Sequence, residues 1–269
     1  DILQVDGSKV TSRFVIEKDI DENRMFYVSY TKGYKPGGSN LTYGREDIVA
    51  PIVVLPTFEE EVVDAYEFGL KADLAGGRTR INSAVFFYNY EGLQYQATDP
   101  ELFQGGVSNI PESEIYGAEV ELSTYLTDSM ILDANLSWIE TEITADHFAL
   151  DNVQSDIATN ALLAQGVNQF SDQVQIARAA EITNVKGNEL AKTPNFTANL
   201  ALTWEGYVEN WGELTNSLQY IYRGDFKHRM FNNPLTDMVP DYEVLDFVLG
   251  FTPQSVSYTH LTLPTTLVV

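Results

Sequence analysis

No cysteine occurs in the 269 residues. That absence excludes disulfides, thiolate metal sites and cysteine nucleophiles together. Positive charge is scarce as well, with 16 Lys and Arg against 39 Asp and Glu, a formal net charge of −23. So acidic a chain repels phosphate backbones and anionic head groups, which argues against nucleic acid as a partner and against a polybasic membrane anchor. Histidine is limited to His147, His228 and His260. A His-x-x-x-His pair, a Gly-x-Ser-x-Gly elbow and a phosphate-cradling glycine loop are all missing. The expectation is therefore no enzyme, no catalytic residues, no metal ligands and no cofactor. The densest acidic groups, Glu59-Glu60-Glu61 and Asp146/Asp151/Asp156, lack the regular spacing of a calcium loop and are expected to be solvated. Long apolar runs are missing too. The longest, Ile48 to Leu55, is broken by Pro51 and falls far short of the roughly 18 residues of a membrane-spanning helix. The opening Asp1-Ile2-Leu3-Gln4 has neither the basic lead nor the apolar stretch of a signal peptide.

What the chain does have is aromatic content, 12%, and a period of two. Nine segments alternate apolar and polar residues, as strands with two unlike faces do. In Asn195–Trp204, Phe196, Ala198, Leu200, Leu202 and Trp204 oppose Asn195, Thr197, Asn199, Ala201 and Thr203. Tyr66, Phe68, Leu70, Ala72 and Leu74 oppose Glu67, Gly69, Lys71 and Asp73; Tyr116, Ala118, Val120 and Leu122 oppose Gly117, Glu119, Glu121 and Ser123. Met130–Trp138 and Phe26–Thr31 follow suit, with Ile131 out of phase. Less regular strands are predicted about Arg13–Lys18, Thr79–Tyr95, Gly212–Gly224 and Tyr242–Phe251.

Connections alternate as well. Short turns at Asp19–Arg24, Ala75–Arg78, Thr127–Ser129 and Glu205–Trp211 separate long links at Gly33–Val62, Gln96–Glu112, Ile143–Pro194 and Asp225–Asp241. Short turns at one end and long loops at the other, with strands of about 9–11 residues, are the pattern of an outer-membrane barrel. Aromatics near strand ends (Tyr30, Tyr66, Trp138, Trp204, Tyr220, Tyr222) suit interfacial girdles. The charged face, with Glu67, Lys71, Glu119, Glu121, Asp133, Gln219 and Arg223, would then line a wet lumen. The fold class predicted is all-β, an antiparallel transmembrane β-barrel fragment with long extracellular loops. A soluble glycan-binding β-sandwich is the alternative from alternation alone, and a passive porin-like channel the alternative among barrels.

Five motifs in order carry a family resemblance. Tyr27-Val28-Ser29-Tyr30-Thr31-Lys32-Gly33-Tyr34-Lys35-Pro36-Gly37-Gly38 resembles the YxSYSKGYKPGG signature of TonB-dependent outer-membrane receptors. Glu60–Leu74 is similar to that family's YELGLK strand and is followed by Arg80–Tyr90; Tyr116–Glu121 resembles its GxE strand, and Gly187–Pro194 its GxxLxxxP segment. The resemblance covers roughly residues 10–253 and implies about nine strands of a 22-stranded barrel, in the bacterial cell outer membrane. It implies TonB-energised uptake of a scarce solute, a ferric siderophore first, cobalamin or a glycan otherwise. Implied partners are outer-membrane lipid, the small solute, and the TonB complex acting through a plug domain that this chain lacks. Residues 1–254 are thus expected to be a partial receptor barrel. Residues 255–269, with Ser257-Tyr258-Thr259-His260-Leu261, resemble translated sequencing adapter and are expected to be a non-native tail.

Ligand contact is expected at the loops. Tyr34, Lys35 and Arg45 combine an aromatic ring with two cations at the mouth, which suits an anionic aromatic chelate. The link Ile143–Pro194 is long enough to be functional, and Val153, Ile157, Ala161, Leu162 and Ala177–Ala180 allow a helical turn or two. It is expected to fold over the mouth and help sort ligands.

Overall fold

The computed structural model describes residues 8–40, 57–98 and 105–254. Nine long strands form one antiparallel sheet in which every strand pairs with its neighbour in sequence. They are β1 (Ser12–Asp21), β2 (Arg24–Lys35), β3 (Glu61–Leu74), β4 (Thr79–Thr98), β5 (Gly105–Thr127), β6 (Met130–Ile143), β7 (Phe196–Val208), β8 (Gly212–Arg223) and β9 (Tyr242–Pro253). All nine coincide with the alternating segments, and β1 and β9 are the two edges. Among the described residues no helix is long and apolar enough to cross a membrane.

Register fixes the faces. Phe14 lies opposite Tyr30, Tyr30 opposite Tyr66, Tyr66 opposite Phe87, and Phe87 opposite Tyr116. Trp138 continues the row through an edge-on contact with Tyr116 at 5.9 Å, then Phe196 opposite Trp138, then Tyr222, 6.1 Å from Phe196. One aromatic side chain from each of eight consecutive strands thus forms a continuous belt on one face. Phe14, Phe87, Tyr116 and Phe196 extend the four belt residues marked by the sequence; Tyr220 sits one pair lower and Trp204 near the turns. Below the belt the same face carries Val28, Phe68, Val85, Leu136, Leu218, Phe247 and Leu249, all exposed. Eight residues separate Phe196 from Trp204, about 26 Å of strand and about 20 Å of depth at barrel tilt, close to the apolar band of an outer-membrane barrel.

The opposite face is polar and internally bonded. Tyr27 donates its phenolic proton to Glu67 at 2.5 Å, Lys71 lies over the Tyr27 ring, and Gln219 donates to Asn199 at 2.8 Å. Ile131, the residue out of phase, belongs to this face, opposite Tyr125 and Thr203. Two of the recognised motifs interlock here. The Tyr27 ring occupies the space a Cβ at Gly69 would need, and Phe86 does the same above Gly117. Large aromatics covering strand glycines are a known way of pinning register.

Two boundaries differ from expectation. The link Gln96–Glu112 is mostly strand: β4 and β5 reach 20 and 23 residues and rise well above the belt. Outside lipid a ladder needs no apolar alternation, so hydrophobic period stops reporting it. Ala75–Arg78 is the turn predicted, and the other three are tighter; only Glu22 and Asn23 separate β1 from β2.

Candidate functional site at the loop end

Above the belt, the loop-end segments pack into a cap with its own core. Residues 148–150 and 182–184 form a two-stranded ribbon, flanking α1 (Asn152–Leu163) and α2 (Asp172–Ala179). The helical turns expected in this link are therefore two helices of 12 and 8 residues. Ile143 and Val185 are fully buried and cluster with the buried Ile110, Ala149, Leu190 and Met230. Ile110 and Ile143 come from β5 and β6, so the cap is seated on strand tops by apolar contact.

The Gly187–Pro194 motif is the seam. Gly187, with φ of +80°, donates its N–H to the Ile143 carbonyl, and Ile143 donates to the Asn188 carbonyl. The Leu190 N–H donates to the Thr141 hydroxyl at 2.9 Å. Asn188 Nδ2 reaches the Met230 carbonyl, while Asn232 and Glu189 exchange bonds in both directions. Positive φ at Gly187 and side-chain amides at Asn188 and Asn232 satisfy backbone groups that a buried loop would otherwise strand.

Asp151 and Arg229, 78 residues apart, meet in the cap at 2.6 Å. Arg229 also bonds Asp237, which is fully buried, and its guanidinium lies 5.2 Å from the Phe231 ring centre. Burial pulls the Arg229 pKa down, but hydrogen bonds to the two carboxylates outweigh it and the value is raised. Asp151 caps α1 by accepting from Val153 and Gln154 N–H. This corrects the expectation of a solvated acid: Asp151 is 4% exposed and already committed to a cation and a helix end. Asp146 pairs instead with Lys186 and Asn184. Among the described residues, no group of three His, Cys, Asp or Glu is placed to hold a metal ion.

The tall β4–β5 hairpin organises the next loop. Asn109 accepts from the Glu59 N–H and donates to the Glu59 and Gly92 carbonyls. Gln94 donates to the Pro36 and Glu59 carbonyls, and Asn40 bonds both backbone groups of Val107 at 2.8 Å. Both stems of the segment between β2 and β3 are thereby stapled to the hairpin. Of the residues singled out for ligand contact, Tyr34 and Lys35 are exposed at the end of β2. They point to opposite faces: Tyr34 shares the belt face and Lys35 the polar face. Arg45 lies outside the described residues, as do the Ile48–Leu55 run and the tail 255–269.

A recess of about 520 Å³ is lined by Glu60, Val62, Glu91, Asn109 and Glu112 among others. Of its lining, Val62, Glu91 and Glu112 continue the belt face upward. Recesses of about 310 and 190 Å³ follow the polar face around Tyr27, Glu67, Lys71 and Glu119. The sequence singled out Tyr34 and Lys35 for ligand contact; it did not single out Asn40, Asn109, Arg229 and Asp237, which hold the loops together, most of them through partners distant in the chain.

A belt of aromatics over an exposed apolar face, a bonded polar face behind it and long structured loops at one end describe a barrel wall. A family model described as "TonB dependent receptor-like, beta-barrel" matches residues 3–266. The chain belongs to that family. The TonB-dependent receptor barrel lies in the bacterial outer membrane, which makes the belt face its lipid side and the polar face its bore. Among curated proteins, the chain is 26% identical to a probable TonB-dependent siderophore receptor PiuA of Acinetobacter baumannii over 125 residues, 46% of this chain and 16% of that protein. Among solved structures, it superposes on the ferric yersiniabactin uptake receptor FyuA from Yersinia pestis with a TM-score of 0.60 at 17% identity. That match covers 89% of this chain and 29% of FyuA. The siderophore receptor PiuA from Acinetobacter baumannii gives a TM-score of 0.60 at 19% identity, covering 90% of this chain and 29% of that one. The chain therefore spans less than a third of these relatives' length. The family and these neighbours are transport receptors, not enzymes.

Proposed function

We propose that this chain forms part of the wall and extracellular mouth of an outer-membrane receptor that imports a scarce solute with energy from the TonB complex. A ferric siderophore is the cargo class best supported, because a siderophore is named for the curated relative and ferric yersiniabactin for a structural neighbour. In this reading residues 1–254 supply about nine barrel strands, and other strands and a plug domain come from the complete receptor. The observation that carries the reading is the family match over residues 3–266 on a sheet whose lipid and bore faces are already sorted by register. No covalent step is involved. The wall contributes a polar surface around the plug, and the cap and the Tyr34/Lys35 region contribute the contacts that sort ligands. Lys35, on the bore face, is the better placed to meet an anionic chelate.

The test uses the complete receptor in cells lacking their own iron receptors, fed radiolabelled iron as catecholate, hydroxamate or thiazoline chelates. Energy-dependent accumulation of one chelate class is expected, with loss of uptake when the proton gradient is collapsed. Uptake indifferent to the gradient would point to a passive pore, and no uptake of any chelate would remove the siderophore assignment. Deleting residues 150–185 from the complete receptor should weaken chelate binding; unchanged affinity would end the sorting role of the cap.

A further inference from the structure

Two loops that are separate in sequence share one buried charge centre. The first, between β6 and β7, provides Asp151; the second, between β8 and β9, provides Arg229 and Asp237. Arg229 spends all three nitrogens on this centre: Nε and Nη2 on Asp237, Nη1 on Asp151 and Asn152, and Nη2 also on the Thr236 hydroxyl. Asp237 in turn accepts from the Asn233 N–H and the Thr236 hydroxyl, which closes its own loop around it. Asp151 ties the centre to both helices, because it caps α1 and its own N–H donates to the Glu181 carbonyl just after α2.

We propose that Arg229 is a latch that makes the two loops a single mechanical body at the mouth. A ligand or plug contact that displaces α1 would then displace residues 225–239 as well. Charge-assisted, forked hydrogen bonds inside a low-dielectric cap have few intermediate arrangements: the guanidinium is seated between both carboxylates or it is out. Parting the two loops strips Asp151 of its cation, while Asp237 stays with Arg229 in its own loop; a cap carboxylate left unpaired is costly, so one loop cannot depart and leave the other undisturbed. The seam at Asn188, Glu189 and Asn232 adds neutral bonds between the same two segments, whose loss costs less than an unpaired charge. The proposal does not depend on which solute the receptor carries.

Hydrogen exchange on the complete receptor in lipid nanodiscs tests it, because the readout lies in the loop that is not mutated. Arg229→Met is expected to speed amide exchange across residues 152–163 by about tenfold or more, although the substitution sits in the other loop. Asp151→Asn retains a good helix cap while removing the charge, so α1 itself should persist. It is expected to speed exchange at residues 225–239 by a similar factor. The double variant should exchange no faster than the faster single one, since both break one contact. If each substitution loosens its own loop alone, or if the two effects simply add, the latch is wrong. Should Arg229→Met prevent assembly, Asp151→Asn still decides, because only a latch moves residues 225–239.

Discussion

Val28, Phe68 and Val85, on the inner strands β2, β3 and β4, are 47, 49 and 51% exposed, while Ile143 and Val185 in the cap are 0% exposed. The two regions use one composition against different solvents. The strands leave their apolar face open because hydrocarbon covers it, and the inner strands β2 to β8 pair their backbone on both sides. The cap stands in water and has to gather its own apolar side chains, which it does around the tops of β5 and β6. Loss of packing should therefore injure the cap, and misplaced charge should injure the wall.

The largest effect is expected where that difference is attacked from the cap side. Ile143→Ala removes a fully buried side chain and should cost about 2–5 kcal/mol of local stability. Exchange at Val185, Asn188 and Leu190 should accelerate accordingly, while the strand amides of β2–β4 keep their protection. Equal acceleration in both regions would mean that the cap is no separate cooperative unit. On the wall, Leu200→Arg places a cation midway between the aromatic belt and the turns on the lipid face, at a cost of about 2–4 kcal/mol. Its neighbour Ala201→Arg faces the bore opposite Asp133 and Gln219 and should be close to neutral. Urea unfolding of the complete receptor from lipid vesicles measures both. Similar losses would show that the faces are wrongly assigned.

How much of this was legible in the sequence follows from the same contrast. The bilayer imposes a period of two on every strand that crosses it, so Phe196–Trp204 and Tyr66–Leu74 announce both their type and their faces. Glycine in Tyr66–Leu74 and Tyr116–Glu121 could be recognised as recurrent, but not that Tyr27 and Phe86 lie over Gly69 and Gly117. Above the membrane the signal disappears: the upper halves of β4 and β5 are joined by backbone pairing and the Asn109 amide, and Gln94 reaches across to Pro36 and Glu59, residues that look like loop. Asp151 resembled a solvated acid because its partner, Arg229, is 78 residues away, in a stretch with no periodicity. Tyr34 and Lys35 could have been separated from sequence, since continuing the β2 alternation past Gly33 already sends them to opposite faces.

Exposed ion pairs near the turns sharpen the comparison from the weak side. Arg78 and Asp128 are 2.8 Å apart, but Asp128 is 94% exposed. Asp128→Asn should change unfolding by less than about 1 kcal/mol and less still at high salt, unlike any substitution at the buried Arg229 centre. A larger change would place those turns in a more shielded setting than the structure gives them.

The smallest effect concerns pH and is confined to the cap. His147 Nε2 lies 2.9 Å from the Tyr95 hydroxyl, and its ring meets the Tyr95 ring edge-on. Its backbone N–H donates to Asn184, and neighbouring Asp146 is paired with Lys186. Burial holds the His147 pKa below its ordinary value. Above about pH 6.5 both folded and unfolded chains carry a neutral ring, and the cap keeps its full stability. As pH falls below that value, the unfolded chain takes up the proton first. Stability is then lost progressively until the folded-state pKa is passed, and it levels off below. Exchange at His147, Asn184 and Val185 should thus rise as pH falls below about 6.5, after correction for intrinsic rates, with β2 and β3 unaffected. His147→Gln, which cannot titrate, should flatten that rise. Persistence of the rise in the variant would assign it to the cap carboxylates instead.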